Sequence, residues 1–115
     1  DYLGVSRSYK GMKNFLDELS IEDSDLSNNF LLNSIKSIEI NNFIRLSEPN
    51  RRALNVLLDL QNRHITTKLL LEACIFREES RGGHFRLDFP SQLPYWKCHS
   101  VQSIGKNLFT RKVLD

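Results

Sequence analysis

Between Pro49 and Gly82 the chain contains neither Gly nor Pro, and this long stretch constrains the fold more than any other feature. A segment of that length with apolar residues three and four apart reads as a helix, because no residue in it breaks the backbone ladder. Ser47-Glu48-Pro49-Asn50 supplies the start. Ser47 can cap, and Pro49 lacks its N–H only where the first turn would leave that group unpaired. Leu54, Leu57 and Leu58 form one apolar stripe, and Ile65, Leu69, Ala73 and Phe76 a second, which carries the expected helix to about Glu79. Thr66 and Thr67 fall mid-helix, where a hydroxyl can bond back to the preceding turn. Gly82-Gly83 is expected to end the helix, since glycine accepts the left-handed cap conformation.

Upstream, the periodicity predicts two further helices. Tyr9, Met12, Phe15, Leu16 and Leu19 place a first amphipathic helix over residues 8–19, with Ser8 able to cap it. Ser20 to Asp25 reads as a polar connector whose acids suit a following helix N-terminus. A second helix is expected from Leu26 to Leu46 on Phe30, Leu31, Ile35, Ile38, Phe43 and Leu46, weakened by Ile38-Glu39-Ile40 and by Asn41-Asn42. After Gly83 the pattern changes. His84 to Pro90 alternates in size and polarity, and Pro90 and Pro94 forbid regular helix. Val101 to Val113 breaks at Gly105 and reads as an extended tail with a brief strand. The expected fold is all-α: an up-down three-helix bundle with a long third helix over residues 1–83, then an irregular extended arm over residues 84–115.

Composition narrows the function classes. With 115 residues and 40% hydrophobic content the chain can bury a core, so a disordered tail is excluded. The longest apolar run in its middle, Leu69-Leu70-Leu71, is far short of the roughly 20 residues that span a bilayer. No membrane partner is expected. Asp1 to Val5 has neither a basic start nor an apolar core, so a secretory signal is not expected. The single Met is Met12, which suggests a piece of a longer polypeptide. Cys74 and Cys98 are too few to staple such a domain, and reduced thiols in the cytoplasm are the default. Residues 1–50 hold 5 basic and 8 acidic side chains, a balance of −3, and residues 51–115 hold 11 and 6, a balance of +5. The basic half is spread out, at Arg51, Arg52, Arg63, Lys68, Arg77, Arg81 and Arg86, without interleaved aromatics. A nucleic-acid partner is therefore not expected.

The chemically dense segment runs from Arg77 to Pro90: Arg-Glu-Glu-Ser-Arg-Gly-Gly-His-Phe-Arg-Leu-Asp-Phe-Pro. Arg77 and Arg81 suit the negative end of a helix, and Glu78 or Glu79 can pair with Arg81 or a later Arg. The bland reading is an ion-pair network that fixes the helix exit. The sharper ones are a guanidinium clamp on a carboxylate or phosphate, or a surface that meets a partner or another domain. No second catalytic group lies nearby in sequence. Elsewhere, His64 is expected to be solvated or capping, Cys74 a small buried hydrophobe, and Tyr95 and Trp96 anchors for the arm. Cys98-His99 lacks metal-ligand spacing, and neither a phosphate loop nor a nucleophile elbow is present.

Glu79-Ser80-Arg81-Gly82, then His84, Arg86, Asp88 and Pro90, then Trp96 and His99, resembles the C-terminal helical domain of the succinate dehydrogenase and fumarate reductase flavoproteins. Within that family the Gly-Gly-His-Phe-Arg-Leu-Asp-Phe-Pro wording is most similar to the L-aspartate oxidase branch, in its cyanobacterial form. Ser91-Gln92-Leu93-Pro94-Tyr95 stands where succinate dehydrogenases usually carry Arg-Asp-Asp before the Trp. Tyr2-Leu3-Gly4-Val5-Ser6-Arg7 resembles the family's entry into this domain. The resemblance implies a full-length enzyme that uses FAD to oxidise L-aspartate to iminoaspartate, on the route to quinolinate and NAD. FAD-binding and capping domains of the same polypeptide would hold flavin and substrate. This chain has no Gly-x-Gly-x-x-Gly fingerprint, so it is expected to hold neither cofactor nor metal and no catalytic residue. Arg77, Glu79, Arg81, His84, Arg86, Asp88, Trp96 and His99 are expected at the interdomain interface. Alternatives are the succinate dehydrogenase or fumarate reductase flavoprotein itself, or a freestanding helical module whose basic arm binds a protein or nucleic acid.

Overall fold

The computed structural model describes residues 6–38, 43 and 45–114. Two compact units are present, residues 18–66 and a second made of residues up to 17 with those from 67 onward. In chain order the elements are α1 (Tyr9–Ser27), α2 (Phe30–Lys36), α3 (Glu48–Phe76), a 3-10 turn (Pro94–Trp96), β1 (Cys98–Val101) and β2 (Phe109–Lys112). The residues Tyr2 to Val5, Glu39, Ile40, Asn41 and Asn42, on which parts of the sequence reading rest, lie outside the described residues.

α1 starts where its cap predicts: the Gly11 N–H donates to Ser8 Oγ at 3.3 Å and the Met12 N–H to the Ser8 carbonyl at 3.0 Å. It does not stop at Leu19. The expected connector, Ser20 to Asp25, is helical as far as Ser27. Its acids have a partner there, since Glu22 and Asp23 face the two ring nitrogens of His64 at 3.0 and 3.3 Å. His64 is accordingly buried rather than solvated. α2 is much shorter than the expected span from Leu26 to Leu46: Asn29 caps its start and Ser37 its end. The Asn29 side chain accepts the Leu31 and Leu32 N–H groups, at 3.0 and 3.5 Å. Leu32 and Leu19 are the apolar core of this unit, while Phe30 is exposed.

α3 begins as its sequence signal predicts. Ser47 Oγ accepts the Asn50 N–H at 3.4 Å, and Glu48 in the first turn pairs with Arg51 and Arg52. Thr66 bonds back to the Asn62 carbonyl at 2.9 Å. The helix ends at Phe76, three residues before the expected Glu79. Its buried face also differs from the expectation. His64, Leu71 and Cys74 point inward, whereas Ile65 and Leu69, from the stripe expected to be core, remain 48% and 45% exposed. Leu71, Cys74, Met12 and Trp96 form the core of the second unit.

The arm is not irregular, and the fold is mostly helical rather than all-α. The 3-10 turn leads into β1, which pairs antiparallel with β2 in the register Cys98 with Lys112 through Val101 with Phe109. Nor do the glycines cap the helix. The Arg81 N–H donates to the His84 carbonyl at 2.8 Å and the His84 N–H to the Arg81 carbonyl at 3.0 Å, closing a tight turn around Gly82-Gly83. Gly82 takes φ +57°, and nothing lies within 4 Å of where its Cβ would stand. The cost of a side chain there is therefore backbone strain alone, about 1–2 kcal/mol. Gly82→Ala is expected to lower stability by about that amount in urea unfolding, while Gly83→Ala, whose backbone is not left-handed, is expected to change little.

Candidate functional site

The last turn of any α-helix leaves carbonyls without intrahelical donors. In α3 those of Ala73, Cys74 and Ile75 are satisfied by residues beyond the helix. The Arg77 N–H donates to the Ala73 carbonyl at 3.2 Å. Nη1 of Arg86 donates to the carbonyls of Cys74 and Ile75, at 3.1 and 2.8 Å, and to that of Arg77 at 3.2 Å. Cation and helix dipole thus reinforce each other. The other edge of the same guanidinium forks onto Asp88, with Nε on Oδ1 at 2.9 Å and Nη2 on Oδ2. Asp88 in turn accepts the N–H of Tyr9, the first residue of α1, at 3.3 Å. One Arg–Asp pair therefore closes the negative end of α3 and the positive end of α1. Arg86 is 1% exposed, with its guanidinium also 4.7 Å from the Phe89 ring. The contact with Arg86 holds the Asp88 carboxyl below its ordinary range, against a smaller effect of burial.

A second cluster surrounds Glu79, which is 0% exposed. Its Oε1 accepts from Arg77 and from Arg81 Nε at 2.9 Å; its Oε2 accepts from Arg81 Nη2 at 3.2 Å and from the Leu93 N–H at 3.1 Å. Burial pushes the carboxyl up, yet the bonds from Arg81, the Leu93 N–H and Arg77 outweigh it and bring the pKa down to about 2. The surplus guanidinium donors reach backbone. Arg77 donates to the carbonyls of Trp96 and Cys98, the latter at 3.0 Å, and lies 5.4 Å from the Trp96 ring centroid; Arg81 donates to Leu93 at 3.0 Å. Trp96 meets Phe76 edge-on at 5.5 Å.

His84 Nε2 lies 3.2 Å from the Arg77 carbonyl, which can only accept, so the proton sits on Nε2. Burial lowers its pKa, as do Arg7, Arg86 and Arg77, against the bond to Arg77. Seven of the eight residues singled out from sequence thus come together; His99 stands apart, exposed on β1 opposite Arg111. Ser80 is an essential member that the sequence reading gave no role. Its Oγ accepts the Arg86 N–H at 2.8 Å and donates to the Phe89 carbonyl at 2.8 Å. Arg7, read from sequence only as part of the entry into this domain, joins this group too: its backbone pairs with Phe85 and Leu87, and its side chain donates to the Gly83 carbonyl at 3.1 Å. Among the described residues, no group of three His, Cys, Asp or Glu side chains is placed to hold a metal.

The arrangement is a closed lock on helix ends. Its donors point at carbonyls and carboxylates of the chain itself. The chain belongs to the family described as fumarate reductase flavoprotein C-term, which matches residues 1–112. It is 25% identical over 98% of its length to an uncharacterised FAD-dependent oxidoreductase of Methanocaldococcus jannaschii, covering 18% of that protein. It is 50% identical over 35% of its length to a fumarate reductase (CoM/CoB) polypeptide of Methanothermobacter marburgensis, covering 7% of it. It is 58% identical over 29% of its length to an L-aspartate oxidase of a Nostoc species, covering 6% of it. The chain thus spans less than a fifth of the length of these relatives.

The depressed pKa of Glu79 makes an acid-stability prediction. A carboxyl moved from 4.5 to about 2 by folding contributes stability that is present above pH 4.5 and lost as pH falls toward 2. Glu79→Gln is expected to cost on the order of 2–3 kcal/mol at neutral pH, the worth of a bond to a charged group. It should also flatten the acid limb of stability measured by urea unfolding; an unchanged limb would remove Glu79 from that role.

Proposed function

We propose that this chain is the C-terminal structural domain of an FAD-dependent L-aspartate oxidase. The full-length enzyme would oxidise L-aspartate to iminoaspartate, the precursor of quinolinate in NAD biosynthesis, in the cytoplasm. Support comes from the L-aspartate oxidase matches, from Nostoc among others, taken with a helix exit whose buried charges, Glu79 and Arg86, are paired. No helix among the described residues is long and apolar enough to cross a membrane. In this reading the chain supplies no catalytic group. Arg77 and Arg86 already spend their donors on Glu79, Asp88 and backbone carbonyls, which leaves a flavin pyrophosphate little to bind there. Its work is to pack against the flavin-binding and capping domains. Arg77, Glu79, Arg81, His84, Arg86, Asp88, Trp96 and His99 lie at or near that contact, the buried members fixing the shape that Arg81, His84 and His99 present.

A second reading, the flavoprotein of a succinate dehydrogenase or fumarate reductase, is favoured by the methanogen fumarate reductase match. Purified full-length protein discriminates. The first reading expects bound flavin and L-aspartate-dependent oxygen or fumarate reduction; turnover of succinate or fumarate without activity on L-aspartate would favour the second. In the full-length enzyme, Arg81→Glu is expected to lower flavin retention and melting temperature. Full flavin with unchanged melting would exclude the helix exit from the contact.

A further inference from the structure

The end of α3 and the β1–β2 connection carry an apolar face that the chain leaves uncovered. A groove of about 240 Å³ is lined by Leu69 of α3 and by Ile104 and Leu108 of the connection, with Glu72 and Lys106 also in its lining. Leu69 belongs to the very stripe whose spacing calls for burial, yet it is 45% exposed. Ile104 is fully exposed, at 103%, beside Gly105 at φ +72°. Tight connections favour Ser, Asn, Asp and Gly, because an apolar tip gains nothing from water. A single exposed apolar residue is ordinary; exposed Leu69 and Ile104 from two elements, lining one groove with half-buried Leu108 and charges of both signs, have the make-up of a contact patch. The groove is also anchored, since Gln102 donates to the Leu69 carbonyl at 3.0 Å and so ties the connection to α3.

We infer that the Leu69–Ile104–Leu108 groove is the apolar centre of the surface on which the flavin-bearing part of the same polypeptide docks, with Ile104 as the inserted anchor. The inference rests on the proposed function and gives its contact a location. The occupant follows from the family: the chain matches a flavoprotein C-terminal region and covers 18% or less of three relatives, whose remaining length must meet this region somewhere. The groove fits that partner because Leu69, Ile104 and Leu108 share its walls with Glu72 and Lys106, which ask for counter-charges rather than for a polyanion.

The test uses the full-length flavoprotein carrying Ile104→Cys, a change at a fully exposed position that asks nothing of the domain core. Maleimide labelling at residue 104 is read by peptide mass mapping in native and in urea-denatured protein, with flavin absorbance recorded on the same sample. Docking predicts labelling at least about tenfold slower in the native protein, independent of protein concentration. Flavin present with equal labelling rates would overturn the docking face and leave the proposed function standing. Protection without flavin would overturn the proposed function and keep the covered face. Protection lost on dilution would put a second copy in the groove and overturn the assignment.

Discussion

A guanidinium that is 1% exposed survives only if its donors are matched, and Arg86 meets that condition by bridging two helix ends. Burying a charge costs several kcal/mol, and a single ion pair does not recover it. Here the recovery comes from carbonyls as much as from Asp88. Nη1 takes the orphan acceptors of α3, while Nε and Nη2 hold the carboxylate that accepts the first N–H of α1. The helix boundaries near this point, the path of the segment after Phe76 and the seat of Tyr9 all follow from that one side chain.

The Glu79 cluster repeats the logic one layer out. A buried carboxylate is held by two guanidiniums and a backbone N–H, and the guanidinium donors left over fix the 3-10 turn and β1 through Leu93, Trp96 and Cys98. Ser80 connects the clusters by accepting the Arg86 N–H. A network so completed is sensitive to the loss of any member, because each removal strands a partner. That is the chemistry of a rigid scaffold. It leaves the segment from Arg77 to Pro90 with a fixed shape and few free donors.

Local signals were legible in the sequence. Ser8, Ser47 and Pro49 mark helix starts through groups no more than four residues away, and the structure uses each as read. Charge pairing within the Arg-Glu-Glu-Ser-Arg segment was legible as a class, although only geometry chooses Glu79 over Glu78. What failed was long-range or competitive. Glu22 and Asp23 looked like loop acids because their partner, His64, lies some forty residues on. Asp88 reaches Tyr9 across 79 residues, a pairing that no periodicity encodes. Gly82-Gly83 carries the same signature for a cap and for a tight turn, and here α3 has already ended at Phe76, with Arg86 on its last carbonyls. The stripe through Leu69 was read correctly as apolar and wrongly as covered, since spacing records a need for burial without saying which surface meets it.

The account stands or falls on whether Arg86 and Asp88 act as one unit between the two helix ends. A double-mutant cycle measures this directly, with Arg86→Met, Asp88→Asn and the double variant compared by urea unfolding at neutral pH. The account predicts that Arg86→Met alone costs about 3–5 kcal/mol, the penalty of breaking a buried pair. It further predicts a coupling of at least about 1 kcal/mol between the two positions. Losses that simply add, with coupling indistinguishable from zero, would contradict it.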